Sequence, residues 1–271
     1  SSISCKITDK AEVVSGHQGV DCTYIVGHVN GGGPSMSCGA NDIITRDQTT
    51  DAITSHPGCF SSVFKNNTIY ARKNVNGIRI RARNDIVRDN LIISRGSTTG
   101  QGILIAQEFT NGSIIKSNTI IGCDTGIRQT QVDLESYGGR DFSAKVIIED
   151  NVCVDGVIGI SIDAVQSSKM LGTIIRSNYI YSDELVTRLT RGISIGPYSN
   201  GASVYNNTVR RANEDGIRYF SDISQLTLFD NFVEELDTAN AVRGPSVLGA
   251  ITDLTTFPSG NSDAKHYIGR V

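Results

Sequence analysis

The sequence has no tryptophan, only five prolines and only two methionines among its 271 residues, and aromatic residues make up 6% of it. No apolar stretch is long enough to span a bilayer, so we expect no membrane insertion. The formal net charge of −3 lacks the basic excess of nucleic-acid-binding proteins, so we expect no nucleic-acid partner.

Cysteine is also scarce, because six cysteines in a chain of this length do not indicate a disulfide framework. Cys22, Cys38 and Cys59 lie near His28 and His56 in the sequence, but their spacing matches no zinc-binding pattern. We therefore predict no metal site and no cofactor.

Short runs of isoleucine, valine and threonine are abundant, and glycines and asparagines separate them. Over residues 64–105 one pattern occurs twice: Asn67 and Asn90 hold the same place in each copy, as do Gly77 and Gly102. A repeat of this kind cannot bury its apolar side chains alone, so neighbouring copies must stack. Because the copies contain short strands and no helical pattern, the sequence predicts an all-β solenoid.

The asparagine position recurs along most of the chain with a spacing of roughly 27 residues, which is typical of solenoids. The asparagines are Asn41, Asn67, Asn90, Asn118, Asn151, Asn178, Asn207 and Asn231. The residues three before and two after each asparagine are apolar, as Phe64 and Ile69 are. The glycine position recurs at Gly77, Gly102, Gly126, Gly159, Gly192 and Gly216. These columns predict about eight coils of three strands, in which the first strand starts at the glycine and the other two flank the asparagine.

This pattern resembles the right-handed parallel β-helix (pectate-lyase-like) superfamily, which includes pectate lyases, other polysaccharide lyases and epimerases, and phage tailspikes. The resemblance implies a single-stranded parallel β-helix whose asparagine ladder fills the tight turn between the second and third strands. Asparagine suits this turn because it tolerates a left-handed backbone and its amide can bond along the stack. We assign residues 1–235 to the β-helix and residues 236–271 to a C-terminal cap or extension. Because an uncapped end would expose edge strands, we expect the chain to be a fragment or its first coil to be covered.

A second apolar column stands four residues before the asparagines, at Val63, Ile86, Ile114, Ile147 and Ile174. Strand alternation sends this column outward if Phe64 points inward. An outward apolar stripe indicates an interface, and because phage tailspikes are parallel trimers we expect a homotrimer. A bend in the strand that turns both columns inward is the alternative.

Function in a β-helix has to lie on outward positions and in loops, because the interior is structural. Alternation places Arg79 and Arg128 in one outward column of the first strand and Arg81 in the next. The long loop that follows Arg128 contains Tyr137. Loops beside a strand face form a groove that suits an extended polysaccharide or oligosaccharide, so we predict that Arg79, Arg81, Arg128 and Tyr137 bind substrate.

Carboxylates on the same face are the candidates for catalysis. Glu108 and Asp163 lie two coils apart, and Asp133 and Glu135 lie on the long loop. Separations of about 5 Å for one coil and about 10 Å for two bracket the distances of retaining and inverting glycosidases. Alternatively, the arginines neutralise a uronate and Tyr137 takes its α-proton. A third interpretation is that these charges form only surface ion pairs.

The predicted function is a polysaccharide-degrading β-helix, a glycoside hydrolase or lyase acting on a bacterial surface or acidic polysaccharide, as in a phage tailspike depolymerase. Such a protein would work at the virion surface or outside the cell. The alternative is a receptor-binding or structural β-helix of a fibre or adhesin that cleaves nothing.

Overall fold

The computed structural model describes residues 14–16, 25–26, 29–31, 37–39, 42–44, 51–55, 61–72, 75–95, 100–106, 110–130, 145–163, 170–182, 189–220, 223, 225–234, 240–243 and 266–268. These residues form strands and the turns between them. The strands assemble into three long sheets and one short pair, β19 (Met170–Leu171) with β23 (Ser199–Asn200).

Sheet 1 has ten parallel strands. They are β1 (Val14–Gly16), β3 (Val29–Gly31), β6 (Asp51–Ser55), β9 (Asn76–Ile80), β12 (Gln101–Ala106), β15 (Thr125–Thr130), β18 (Ile158–Asp163), β22 (Arg191–Ile195), β26 (Asp215–Tyr219) and β29 (Asn240–Arg243). This sheet contains the first strand of each predicted coil.

Sheet 2 has eight strands and holds the second strand of each coil. They are β4 (Ser37–Gly39), β7 (Val63–Lys65), β10 (Ile86–Arg88), β13 (Ile114–Lys116), β16 (Ile147–Glu149), β20 (Ile174–Arg176), β24 (Ser203–Tyr205) and β27 (Thr227–Phe229).

Sheet 3 has ten strands and holds the third strand of each coil. They are β2 (Ile25–Val26), β5 (Asp42–Ile44), β8 (Thr68–Arg72), β11 (Leu91–Arg95), β14 (Thr119–Ile121), β17 (Val152–Val154), β21 (Tyr179–Tyr181), β25 (Thr208–Arg210), β28 (Asn231–Glu234) and β30 (His266–Ile268). Of these, β30 alone pairs antiparallel, with β28, in the described part of the sheet.

The predicted fold class is confirmed: the protein is an all-β parallel β-helix with three strands in each coil and an asparagine ladder. Each strand pairs with the equivalent strand of the next coil, as Ile53, Ile78 and Ile103 do in successive strands of sheet 1. The coil count differs from the prediction, because the three sheets contain ten, eight and ten strands rather than eight each. The asparagine column marks only the turns from sheet 2 to sheet 3. Strands of sheets 1 and 3 that lie before the first or after the last of these turns could therefore not be counted from it.

The asparagine ladder runs without a break through the described coils. The amide nitrogen of each ladder asparagine donates to the side-chain oxygen of the next, at 2.8–3.0 Å, from Asn67 through Asn90, Asn118, Asn151, Asn178 and Asn207 to Asn231. Asn41 lies outside the described residues. The left-handed conformation belongs to the residue before each ladder asparagine, with φ of 57° at Asp89 and 54° at Asn206. The expectation that the ladder asparagine itself is left-handed was therefore wrong, because its role is to bond along the stack.

The interior is filled by the two predicted apolar columns together with the inward isoleucines of sheet 1. Phe64, Val87 and Ile115 of sheet 2 are fully buried, and Ile92 of sheet 3 is too. Cys153 stands in the sheet 3 column between Ile120 and Ile180, and burial raises the pKa of its thiol well above the usual range. A buried thiol of this kind behaves as a small apolar residue.

The second apolar column does face outward. Val63, Ile86, Ile114, Ile147 and Ile174 are each partly exposed, whereas the next residue in each strand is fully buried. Strand alternation is therefore regular, and the alternative of a bend that turns both columns inward does not hold. The result is an apolar stripe along the outer face of sheet 2.

The division of the chain at residue 235 stays a prediction. Beyond it, β29 continues sheet 1, with Val242 beside Ile217 of β26, and β30 pairs antiparallel with β28 at the edge of sheet 3. The described part of the chain contains no helix of the length and apolarity needed to cross a membrane.

Candidate functional site

Seven successive strands of sheet 1, from β6 to β26, each place one residue in a column on the outer side of the sheet. In order along the helix axis this column reads Thr54, Arg79, Leu104, Arg128, Ser161, Ser194 and Arg218. It arises because the alternating isoleucines of each strand point inward and send the residue between them outward. Arg79 and Arg128 therefore lie on one face as predicted, two coils and about 10 Å apart.

Arg128 and Asp163 form an ion pair near the middle of this face. The Arg128 Nε donates to Asp163 Oδ2 at 3.1 Å, and the Ser161 hydroxyl donates to the same oxygen at 3.1 Å. Both charged side chains reach solvent, with exposed fractions of 41% and 37%. On the next coil, a Cβ at Gly196 would lie 2.9 Å from Asp163 Oδ1. The glycine therefore leaves room for a carboxylate that two donors hold in place.

Arg79 is held by the coil that precedes it. Its Nη1 lies 3.6 Å from Asp51 Oδ2, and Asn76 donates to the other oxygen of that buried carboxylate at 2.7 Å. Arg81 follows the same strand, and its backbone N–H donates to the hydroxyl of Ser55 at 2.8 Å. Its side chain is partly buried. Arg79 is thus on the face where the sequence placed it, and Arg81 directly follows the same strand.

Four of the predicted site residues, Glu108, Asp133, Glu135 and Tyr137, lie outside the described residues. The structure therefore places Arg79, Arg128 and Asp163 on one face, with Arg81 directly after the strand that carries Arg79. The acid that would partner Asp163 in glycoside hydrolysis stays a prediction.

Sequence reasoning missed a second charged cluster at the end of the same face. Arg191 Nη2 donates to Glu214 Oε2 at 2.9 Å, and Arg218 Nη1 lies 3.9 Å from both Glu214 Oε2 and Asp215 Oδ2. The Arg218 guanidinium lies over the ring of Phe220, 4.6 Å from its centroid. Asp215 is fully buried.

A signal for this cluster was present in the sequence. The residue directly before the glycine position is polar in several coils, as Asp51, Asn76, Gln101, Arg191 and Asp215 show. These residues stand in one register at the start of the sheet 1 strands. They form an edge column that stands three residues before the first predicted outward column, as Asn76 does before Arg79.

The face thus combines guanidinium donors with carboxylates. A carboxylate held like that of Asp163 can accept a proton or attack a carbon, and guanidinium groups bind carboxylates and hydroxyls. Among the described residues, no group of three or more histidine, cysteine, aspartate and glutamate side chains comes together as a metal-binding site.

The fold defines the class of protein as a parallel β-helix. No protein-family model matches the chain, and no curated protein sequence matches it. Solved structures do match. One is a mutant of the tailspike of E. coli bacteriophage HK620 in complex with a pentasaccharide. The match has a TM-score of 0.62 and 12% sequence identity, and it covers 86% of this chain and 54% of the tailspike chain.

A hexasaccharide complex of a mutant HK620 tailspike gives a TM-score of 0.59 at 14% identity, covering 82% of this chain and 45% of that one. A second pentasaccharide complex, of another mutant, gives 0.57 at 13% identity, with 90% and 58% covered. At these identities the similarity is one of fold. This chain spans about half the length of the tailspike chains that it matches.

Proposed function

We propose that the outer face of sheet 1 binds a bacterial surface polysaccharide and that this chain is the β-helical part of a tailspike-like depolymerase. The observation that carries the proposal is the partly exposed Arg128–Asp163 pair on the face that also carries Arg79. The HK620 tailspike structures with bound oligosaccharides support a saccharide ligand for a chain of this fold.

The shape of the face suits an extended polymer. Equivalent positions recur every coil, at about 4.8 Å, so one ligand chain can contact several coils at once. Arg128 uses its Nε for Asp163, and within the described structure its terminal nitrogens make no hydrogen bond. Those nitrogens can donate to the hydroxyls or carboxylates of a bound sugar.

Hydrolysis is the reaction that the carboxylates favour. Asp163, held by two donors, serves as general base or nucleophile, and the acid comes from Glu108, Asp133 or Glu135. The arginine column favours a second candidate, β-elimination from a uronate. In that reaction Arg79, Arg81 and Arg128 neutralise the sugar carboxylate, and Tyr137 takes the α-proton.

The test is incubation with a panel of acidic and neutral bacterial surface polysaccharides. New reducing ends indicate hydrolysis, and an unsaturated uronate that absorbs ultraviolet light indicates elimination. We expect Asp163→Asn to lower the cleavage rate about 100-fold or more while binding persists, because general acid–base groups contribute about that much. Asp89→Asn, in an exposed ion pair with Arg88 beside sheet 2, is the matched control and should cleave normally.

Two outcomes would contradict parts of this proposal. A polymer that is bound but never shortened would leave the alternative, a receptor-binding or structural β-helix. A chain that neither binds nor cleaves any polysaccharide of the panel would refute a carbohydrate function for the face.

The outward apolar stripe of sheet 2 supports a homotrimer at the virion surface, and we include that assembly in the proposal. Five partly exposed aliphatic side chains in consecutive coils form an interface-like surface. Light scattering should give about three times the chain mass of 29.1 kDa. Replacing Ile114 and Ile147 together by aspartate should yield monomers, and a wild-type chain that is monomeric at micromolar concentration would refute the assembly.

A further inference from the structure

We propose that Arg218 and Phe220 form a subsite for a carboxylate-bearing sugar residue of the bound polysaccharide. The inference rests on the proposed function, and it names the class of polymer that the face recognises. Arg218 lies in the same outward column as Arg128. It is two coils from the strand that carries Asp163, which is about 10 Å along the helix axis. A polymer in contact with Asp163 can therefore reach this arginine.

The Arg218 guanidinium keeps its donors available. Among the residues that the structure describes, none forms a hydrogen bond with it, since its closest carboxylate oxygens, on Glu214 and Asp215, are 3.9 Å away. That distance is too long for a hydrogen bond. Arg191, by contrast, donates to Glu214 at 2.9 Å. The Arg218 side chain is 24% exposed, so a ligand can reach it.

The buried carboxylate of Asp215 explains why Arg218 stays in this position. Asp215 is 0% exposed, and neither of its oxygens has a hydrogen-bond partner among the described residues. The nearest cations are Arg218 Nη1 at 3.9 Å and Arg191 Nε at 4.0 Å. A buried carboxylate without donors is costly unless positive charge is close to it. Asp215 therefore attracts the guanidinium without taking up its donors in a hydrogen bond.

The ring of Phe220 completes the subsite. It lies under the guanidinium at 4.6 Å and so fixes the plane of the arginine fork. The partly exposed ring also offers apolar contact to the C–H groups of a sugar. A planar fork with free donors matches a carboxylate, which it can bind through two parallel hydrogen bonds. The geometry therefore favours an acidic sugar over a neutral one at this coil.

The experiment uses an array of purified bacterial surface polysaccharides, acidic and neutral, with the full chain as the probe. Each acidic polymer that binds is then compared with its own carboxyl-reduced derivative, in which the carboxylates have become alcohols. We expect the wild-type chain to bind the acidic form at least about tenfold more tightly than the reduced form. Arg218→Gln should remove that difference and leave affinity for the reduced polymer unchanged.

Two further variants keep the test decisive. Arg218→Lys preserves the charge beside Asp215, so it should fold even if the glutamine variant does not, and it should lose part of the preference because it lacks the fork. Arg88→Gln, in an exposed ion pair on sheet 2, is the matched control and should retain the full preference.

The outcomes separate this inference from the proposed function. If the bound polymers are neutral, or if both Arg218 variants keep the full preference for the acidic form, the subsite is refuted while polysaccharide binding stands. Equal loss of affinity for both forms would show that Arg218 acts only structurally, which also overturns it. If the wild-type chain binds no polymer of the array, both proposals fail.

Discussion

Replacing one ladder asparagine by alanine should destabilise the whole β-helix. The Asn207 side chain accepts from the backbone N–H of Asn178 at 3.0 Å and from its amide at 2.9 Å. It donates to the carbonyls of Ile175 and Tyr205, both at 3.0 Å, and to Asn231 Oδ1 at 2.9 Å. All three ladder asparagines are buried, so water cannot replace what is lost.

The magnitude follows from the groups that Asn207→Ala would leave without a partner. Each buried polar group that loses its hydrogen bond lowers the free energy of unfolding by about 1–3 kcal/mol. Because Asn178 keeps the other hydrogen bonds of its side-chain amide, we expect a total loss of about 3–5 kcal/mol. For a chain of this size that corresponds to a fall in melting temperature on the order of 10 °C.

The neighbouring asparagine provides a matched control. Asn206 is exposed and has a φ of 54°, which glycine adopts without strain. Asn206→Gly should therefore change the free energy of unfolding by less than about 1 kcal/mol. Urea denaturation followed by circular dichroism measures both, with unfolding rates as the readout if refolding is incomplete. Equal stability of the two variants would refute the ladder's energetic role.

Two other substitutions test the interior. Asp85 accepts hydrogen bonds from the Ser55 hydroxyl and the Ser62 N–H, at 2.9 Å each, and burial raises the pKa of its carboxyl group. The contribution of Asp85 to the free energy of unfolding is therefore greatest below the ordinary carboxyl pKa and is lost as the pH rises through the pKa of the folded state. Asp85→Asn should therefore gain stability relative to wild type between pH 4 and pH 7, and a constant difference in urea midpoint would contradict this. A Cβ at Gly192 would overlap the side chain of Val209 and a backbone carbonyl of the next coil. Gly192→Ala should therefore lower the free energy of unfolding by about 2 kcal/mol or more. An unchanged urea midpoint would show that the backbone at the start of this sheet 1 strand can move apart to make room.

Strand alternation explains why part of the face could be predicted from the sequence. Once the isoleucines of β9 and β15 were assigned to the interior, Arg79 and Arg128 had to point outward, and Asp163 followed in β18. The fold was predictable for a similar reason. A repeating asparagine flanked by apolar residues at fixed distances is compatible with few other architectures.

Alternation fails at the corner that precedes each sheet 1 strand, which is why Arg191 and Asp215 were missed. Gly77 and Ile78 both face the interior, since a Cβ on Gly77 would overlap the side chain of Ile92. Asp215 directly precedes the glycine of its own coil. The outward residues were counted forward from the glycine, so the count could not include Asp215. Loop residues such as Asp133 follow no periodicity, and their positions could not be derived from spacing at all.

Hydroxyl-radical footprinting of the chain with a polysaccharide that it binds tests most directly whether sheet 1 holds the ligand. Phe220, which is partly exposed, reports on the outer face of sheet 1, and the stacked pair of Tyr205 and Phe229 reports on sheet 2. The account predicts that bound polymer slows oxidation of Phe220 and leaves the Tyr205–Phe229 pair unchanged. Protection of Tyr205 and Phe229 with no change at Phe220 would place the ligand on the wrong sheet and contradict it.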